Sequence, residues 1–208
     1  MARLLMAAVT KDSAGTSTDT DAEAIRASLA DPDRFAPIYD RYAAMLYRYA
    51  YQRMGPETAD DVVAEAFLAA FRGRASYDLE RQDARPWLFG ILTREMATHY
   101  RREQARYRAM SRSAHEVVQD GPADQVAARV VADGARGPLA AALAGLAPGD
   151  RDVLLLVAWG QLSYDEVADA LNIPQGTVGS RLNRARRKVR KALGAFDPTT
   201  TKEKNDEV

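Results

Sequence analysis

From Asp21 onward the apolar residues recur at steps of three and four, and this spacing constrains the fold more than any other feature. Phe35, Tyr39, Tyr42, Leu46 and Tyr49 describe one face of an amphipathic helix ending near Gly55-Pro56. Val62, Val63, Ala66, Phe67, Ala70 and Phe71 describe a second, stopped by Gly73. A polar loop, Ser76 to Asp83, leads to a third long helix from about Pro86. That helix carries Trp87, Leu88, Ile91, Leu92 and Met96 inward and ends among Arg101, Arg102, Arg106 and Arg108. Ahead of these, Asp21 reads as the cap of a short helix through Leu29, broken by Asp31-Pro32. From Met110 to Arg136 the periodicity fades among Gly121-Pro122, Gly134 and Gly137-Pro138, as in a linker. No segment alternates as a strand would. The expectation is an all-α chain of two small helical domains joined by a flexible linker, the C-terminal one containing a helix-turn-helix. Its bounds are a disordered tail over 1–20, a helical domain over 21–109, the linker over 110–138, the second domain over 139–196 and a tail over 197–208.

Composition mainly excludes. The 29 basic and 29 acidic side chains cancel, so the local distribution of charge is what can mark a polyanionic partner. Cysteine is absent and only His99 and His115 could offer imidazole, so neither a disulfide framework nor a metal site is expected, and no cofactor. No nucleophile–base pair or phosphate-cradling loop suggests an enzyme. The opening Met-Ala-Arg-Leu-Leu-Met-Ala-Ala-Val faintly resembles the start of a signal peptide. It is short and runs straight into Lys11 and Asp12, so it reads as a disordered tail. With no apolar run long enough for a bilayer, no membrane insertion and a cytoplasmic location are expected.

The C-terminal segment carries the chemistry. Leu139 to Leu146 reads as one helix, closed by Ala147-Pro148-Gly149, and Asp152 to Trp159 as another, ended by Gly160. Ser163-Tyr-Asp-Glu166 has the form of a capping box opening a short helix, and Asn172-Ile173-Pro174 makes a turn into a last helix. Val178, Leu182, Ala185 and Val189 form the buried stripe of that helix. Its other face is cationic, and no acidic residue lies between Asn172 and Phe196. One basic helix alone is often only a solvated surface. A basic helix that follows another through a tight turn has the arrangement that enters a major groove. Gln175, Thr177, Ser180, Arg181, Asn183, Arg184, Arg187 and Lys188 are the candidate DNA contacts. Of these, Arg184 suits a bidentate contact to guanine, and Arg181, Arg187 and Lys188 suit phosphates.

The motif Asp60-Asp-Val-Val-Ala-Glu65-Ala-Phe67, followed by Arg85-Pro-Trp87-Leu-Phe and His99-Tyr-Arg-Arg102, resembles the core-binding and promoter-melting region of bacterial sigma factors. Leu162-Ser-Tyr-Asp-Glu-Val-Ala and Gly176-Thr-Val-Gly-Ser-Arg-Leu-Asn-Arg-Ala-Arg186 resemble the family's reader of the upstream promoter element. The two-domain layout is similar to that of the extracytoplasmic-function group of the sigma-70 family, and the likeness runs from about Asp33 to Leu193. It implies a subunit that joins core RNA polymerase, recognises −35 and −10 elements and assists melting, with promoter DNA and an anti-sigma factor as further partners. It implies Asp60, Asp61 and Glu65 as polymerase contacts. For the −10 element and melting it implies Ser76, Tyr77, Asp78, Arg94, Thr98, Arg101 and Arg102. The chain departs from the family's usual residues at Arg94, Thr98 and Gly179, which bears on its promoter sequence. The alternative is a conventional helix-turn-helix regulator whose N-terminal domain senses a ligand or dimerises.

Overall fold

The computed structural model describes residues 20–113 and 137–194. Residues 1–19 of the expected N-terminal tail, 114–136 of the expected linker over 110–138, and 195–208 at the C-terminal end lie outside the described residues. Within them there are eight α-helices and no strand. In chain order these are α1 (Asp21–Ser28), α2 (Ala36–Met54), α3 (Pro56–Gly73), α4 (Arg85–Ser113), α5 (Gly137–Ala144), α6 (Pro148–Ala158), α7 (Tyr164–Leu171) and α8 (Gln175–Gly194). Helix α4 continues past the expected domain end at 109. Apolar periodicity stops there, but the Arg, Gln, Ala and Met residues keep good helix propensity.

Helices α1 to α4 form the N-terminal unit. Its core holds Ile25, Ile38, Leu46, Tyr49, Met54, Leu88, Phe89, Leu92 and Met96, all essentially inaccessible. Burying each large apolar side chain is worth about 1.5–3 kcal/mol. Two details differ from the sequence reading. Phe35 sits in a 3-10 turn, Pro32–Phe35, rather than in α2. Within α2, Ile38 takes the core position four residues before Tyr42, and Tyr39 beside it is left 43% exposed, packing on Phe67 at 4.8 Å between ring centroids. Asp21 is also not the cap. Thr20 caps α1 in a capping box with Glu23, and Asp21 is buried inside the bundle.

Helices α5 to α8 form the C-terminal unit around Leu143, Val153, Leu156, Val167, Val178, Leu182 and Ala185. Pro148, read as part of a turn, occupies the first positions of α6, where a missing amide costs nothing. The capping box of Ser163 and Glu166 opens α7, and Asn172 closes it in the left-handed conformation at φ 50°. Asparagine tolerates that geometry better than most residues.

The two units pack together through α4 and α7. Gly90 of α4 makes this possible, because a Cβ there would stand 2.3 Å from the carbonyl oxygen of Ala170. A mid-helix glycine costs about 1 kcal/mol relative to alanine, and here it allows two backbones to approach. Around the contact the N-terminal unit supplies the cations and the C-terminal unit the anions. Arg81 pairs with Asp169 at 2.6 Å, Arg53 with Asp152 at 2.8 Å and Arg85 with Glu166 at 3.5 Å. Arg85 also donates to the carbonyls of Gly160 and Gln161 at 2.6 and 2.9 Å. Gln161 presents its carbonyl from a backbone at φ 54°. Among the described residues no helix is long and apolar enough to cross a membrane.

Candidate nucleic-acid and polymerase interfaces

On α3, packing of Ala59, Val62, Val63, Ala66 and Phe67 against the bundle turns the opposite side outward. Asp60, Asp61 and Glu65 are all exposed there. Asp61, Glu65 and Leu68 follow one another at steps of four and three on one stripe, and Leu68 is 40% exposed. The surface is thus an acidic stripe with an apolar residue at its end.

The loop after α3 is built by short local bonds. Ser76 Oγ donates to the Gly73 carbonyl at 2.7 Å, and Asp78 Oδ1 accepts from the Glu80 amide at 3.1 Å. Ser76 and Asp78 are exposed. Tyr77 is placed differently from a surface stacking platform. It is 6% exposed, its ring lies on Trp87 at 4.9 Å, and its hydroxyl donates to the Arg81 carbonyl at 2.7 Å. Burial, with Asp83 nearby, pushes its phenol up to about 12. Tyr77 supports the loop from below; it does not offer a free ring face.

Beside this loop runs an open groove of about 860 Å³ along α4. It brings Ser76 of the loop together with Arg94, Thr98 and Arg101 of the helix. Arg101 Nη2 donates to Thr98 Oγ1 at 3.1 Å, which orients the guanidinium along the helix. Arg94 and Arg102 are exposed, Arg102 outside the groove lining. The far wall comes from the C-terminal unit through Pro148, Arg151 and Asp152.

On α8, burial of Val178, Leu182 and Ala185 fixes the outward face. Gln175, Ser180, Asn183, Arg184, Arg187 and Lys188 are exposed, and Thr177 and Arg181 half-buried. Two of these carry bonds within the unit. Gln175 Nε2 donates to Asp165 Oδ1 at 2.6 Å, and Ser180 Oγ donates to the Thr177 carbonyl at 3.0 Å. Gly176 and Gly179 have open space where a Cβ would be, so no contact among the described residues requires them. A third bond was not foreseen from sequence. Arg184 donates from Nε and Nη2 to the two carboxylate oxygens of Asp150, both at 2.8 Å. The Arg184 guanidinium holds the Asp150 carboxyl below the usual carboxylate range. Asp150 is an acid in the first turn of α6, a placement that helix-terminus electrostatics explains alone. Its partner across 34 positions has no local sequence signal.

Comparisons with known proteins agree with this layout. Residues 38–106 match the family described as sigma-70 region 2, and residues 136–189 match sigma-70, region 4. The chain is 31% identical to the ECF RNA polymerase sigma factor SigK of Mycolicibacterium vanbaalenii, over 79% of this chain and 84% of the relative. It is 30% identical to the ECF RNA polymerase sigma factor SigW of Bacillus subtilis, over 78% of this chain and 90% of the relative. Among solved structures it resembles CnrH, solved in complex with the cytosolic domain of CnrY. The TM-score is 0.60 at 28% identity, covering 85% of this chain and 99% of that one. The reading as a conventional regulator with a sensing domain is set aside, because the N-terminal unit matches sigma region 2. The protein belongs to the ECF group of sigma-70 RNA polymerase sigma factors and directs transcription initiation as one of them.

Proposed function

We propose that this chain joins core RNA polymerase through the acidic stripe of α3, recognises a −35 element with α8, and engages and helps to open the −10 element along α4. The observation that carries this reading is the coexistence of three surfaces in one chain. These are the exposed Asp60, Asp61 and Glu65, the groove shared by Ser76, Arg94, Thr98 and Arg101, and the cationic face of α8. The protein acts as an initiation factor in the cytoplasm alongside the polymerase, not as a catalyst. Cations at Arg94, Arg101 and Arg102 suit the backbone of an opening duplex, and the exposed Ser76 and Asp78 suit an unstacked base.

Elements named −35 and −10 lie about 25 base pairs apart, or roughly 85 Å at 3.4 Å per pair. Helices in direct contact, as α4 and α7 are, have axes only about 8–10 Å apart. The two units must therefore separate before both elements are held. The related CnrH was solved with the cytosolic domain of CnrY, and a partner of the anti-sigma class is proposed for this chain too.

Charge reversal tests the polymerase contact. Asp61→Lys with Glu65→Lys should weaken binding to core polymerase by tenfold or more, since like charges at a complementary surface cost several kcal/mol. Both side chains are exposed, so the melting temperature should stay within a few degrees of the parent's. Undiminished binding in a titration of labelled protein with core polymerase would remove α3 from the interface.

A further inference from the structure

Arg184 is assigned as a base reader, yet one edge of its guanidinium is already occupied. Nε and Nη2 donate to Asp150 at 2.8 Å each, a side-on bidentate pair. Asp150 is 3% exposed, whereas the Arg184 side chain is 47% exposed. A guanidinium has five N–H donors in a rigid plane. The side-on pair uses two of them. The second hydrogen of Nη2 and both hydrogens of Nη1 remain, so the end-on fork, Nη1 with Nη2, stays complete. That fork is the edge that matches guanine O6 and N7.

We propose that Asp150 is a positioning residue for base readout, holding the Arg184 guanidinium side-on so that its free end-on fork meets a guanine of the upstream element. The inference rests on the assignment of Arg184 as a base reader. A long, exposed arginine otherwise samples many rotamers, and ordering it on binding costs conformational entropy. A buried carboxylate on a neighbouring helix removes much of that freedom beforehand. Asp150 is itself well fixed. Its amide donates to the Ala147 carbonyl at 3.0 Å, and it sits in the first turn of α6, where the helix dipole favours its charge. Arg181 and Lys188 add their fields to that of Arg184 and keep it ionised. The packing of α6 on α8 sets the angle of the pair.

Two other roles for the same pair give opposite results. A staple that only joins α6 to α8 affects how much protein is folded, not which base it prefers. A competitor that must release Arg184 before DNA binds would make base preference sharper when removed. A buttress makes it weaker.

The test uses the full chain on core polymerase. A duplex library randomised over the upstream element yields the site preferred by the parent protein. Arg184→Ala identifies the guanine that this residue reads, as the position whose preference disappears. Asp150→Asn is then measured against the selected duplex and the same duplex with 7-deazaguanine or adenine at that position. The ratio of the two affinities does not depend on the folded fraction, so partial loss of folding leaves the test valid. The expected result is a fall of about tenfold in that ratio at this position only. Affinity of the folded protein for scrambled duplex should hold or rise, because a negative charge has left the DNA-facing side. In the Arg184→Ala background, Asp150→Asn should change the ratio no further. An unchanged ratio, as a staple gives, overturns the proposal, and so does a raised one, as a competitor gives. If Arg184→Ala relaxes no position, the assignment of Arg184 fails and the buttress fails with it, a result distinguishable from either.

Discussion

Replacing Gly90 with leucine should drive the two units apart while leaving each of them folded. Gly90 lies on the face of α4 that meets α7, and a Cβ there would approach the Ala170 carbonyl oxygen to 2.3 Å and its carbon to 3.1 Å. Those are backbone atoms of a helix, so no rotamer change relieves the clash. Leucine is also a far better helix former than glycine, by up to about 1 kcal/mol. The substitution therefore strengthens α4 while making its closest contact with α7 impossible. Of the charge pairs that would then remain, the most exposed is weak. The Arg81–Asp169 pair, with both side chains more than 40% exposed, is worth at most about 1 kcal/mol and is screened by salt. The chain contains no cysteine, so one introduced in each unit accepts dyes cleanly. Efficient energy transfer is expected in the parent at low salt, with a large drop in Gly90→Leu. Transfer that stays at the parent's level would show that the contact tolerates a side chain and is not set by this glycine.

Removing the carboxylate of Asp21 should cost about 1–3 kcal/mol, because it leaves the buried Ala84 amide without its acceptor and takes one acceptor each from Arg41 and Tyr42. Asp21 is 2% exposed and ties together distant parts of the N-terminal unit. It accepts from the Arg41 guanidinium, from the Tyr42 hydroxyl and from the Ala84 amide, the last at 2.7 Å. The Tyr42 hydroxyl also bonds to Asp83 at 2.9 Å, and Asp83 accepts from the Arg85 amide at 2.8 Å. Through these bonds α1 and α2 fix the point where the 76–83 loop enters α4. Burial and Asp83 push the Tyr42 phenol well above its ordinary value, so it remains a donor at any physiological pH. Asp21→Ala should thus lower the denaturation midpoint strongly and loosen the loop that carries Ser76 and Asp78. Asp21→Asn keeps acceptor capacity and should cost less. Equal, small losses in urea melts of both variants would show that these contacts contribute little.

The features legible in the sequence are those with local causes. The apolar stripes of α2, α3, α4 and α8, the capping box at Ser163 and the turn at Asn172 each arise within a few residues. What escaped depends on pairs distant in sequence. Asp21 had the appearance of a cap, since an acid before a helix usually is one, and only the packing of α1 on α2 and α4 gives it a buried role. Arg53 has no local signal for its role: it is buried, lies over the Tyr49 ring at 5.5 Å, and reaches Asp152 of the other unit. Gly90 carried no turn signal, and its meaning appears only with Ala170 opposite. Asp150 and Arg184 were each explicable alone, by the dipole and by DNA, and their coupling comes from the tertiary fold. Tyr77 was expected among the −10 contacts, and only its packing on Trp87 shows that its ring belongs to the bundle.

The most direct test of the central claim is initiation by a reconstituted holoenzyme. Core polymerase mixed with this chain should begin transcripts at a defined start site on a promoter selected by the pair, and core alone should not. Asp61→Lys with Glu65→Lys should abolish those transcripts at protein concentrations where the parent saturates. A chain that binds duplex DNA yet neither joins core polymerase nor yields a start site would contradict the account.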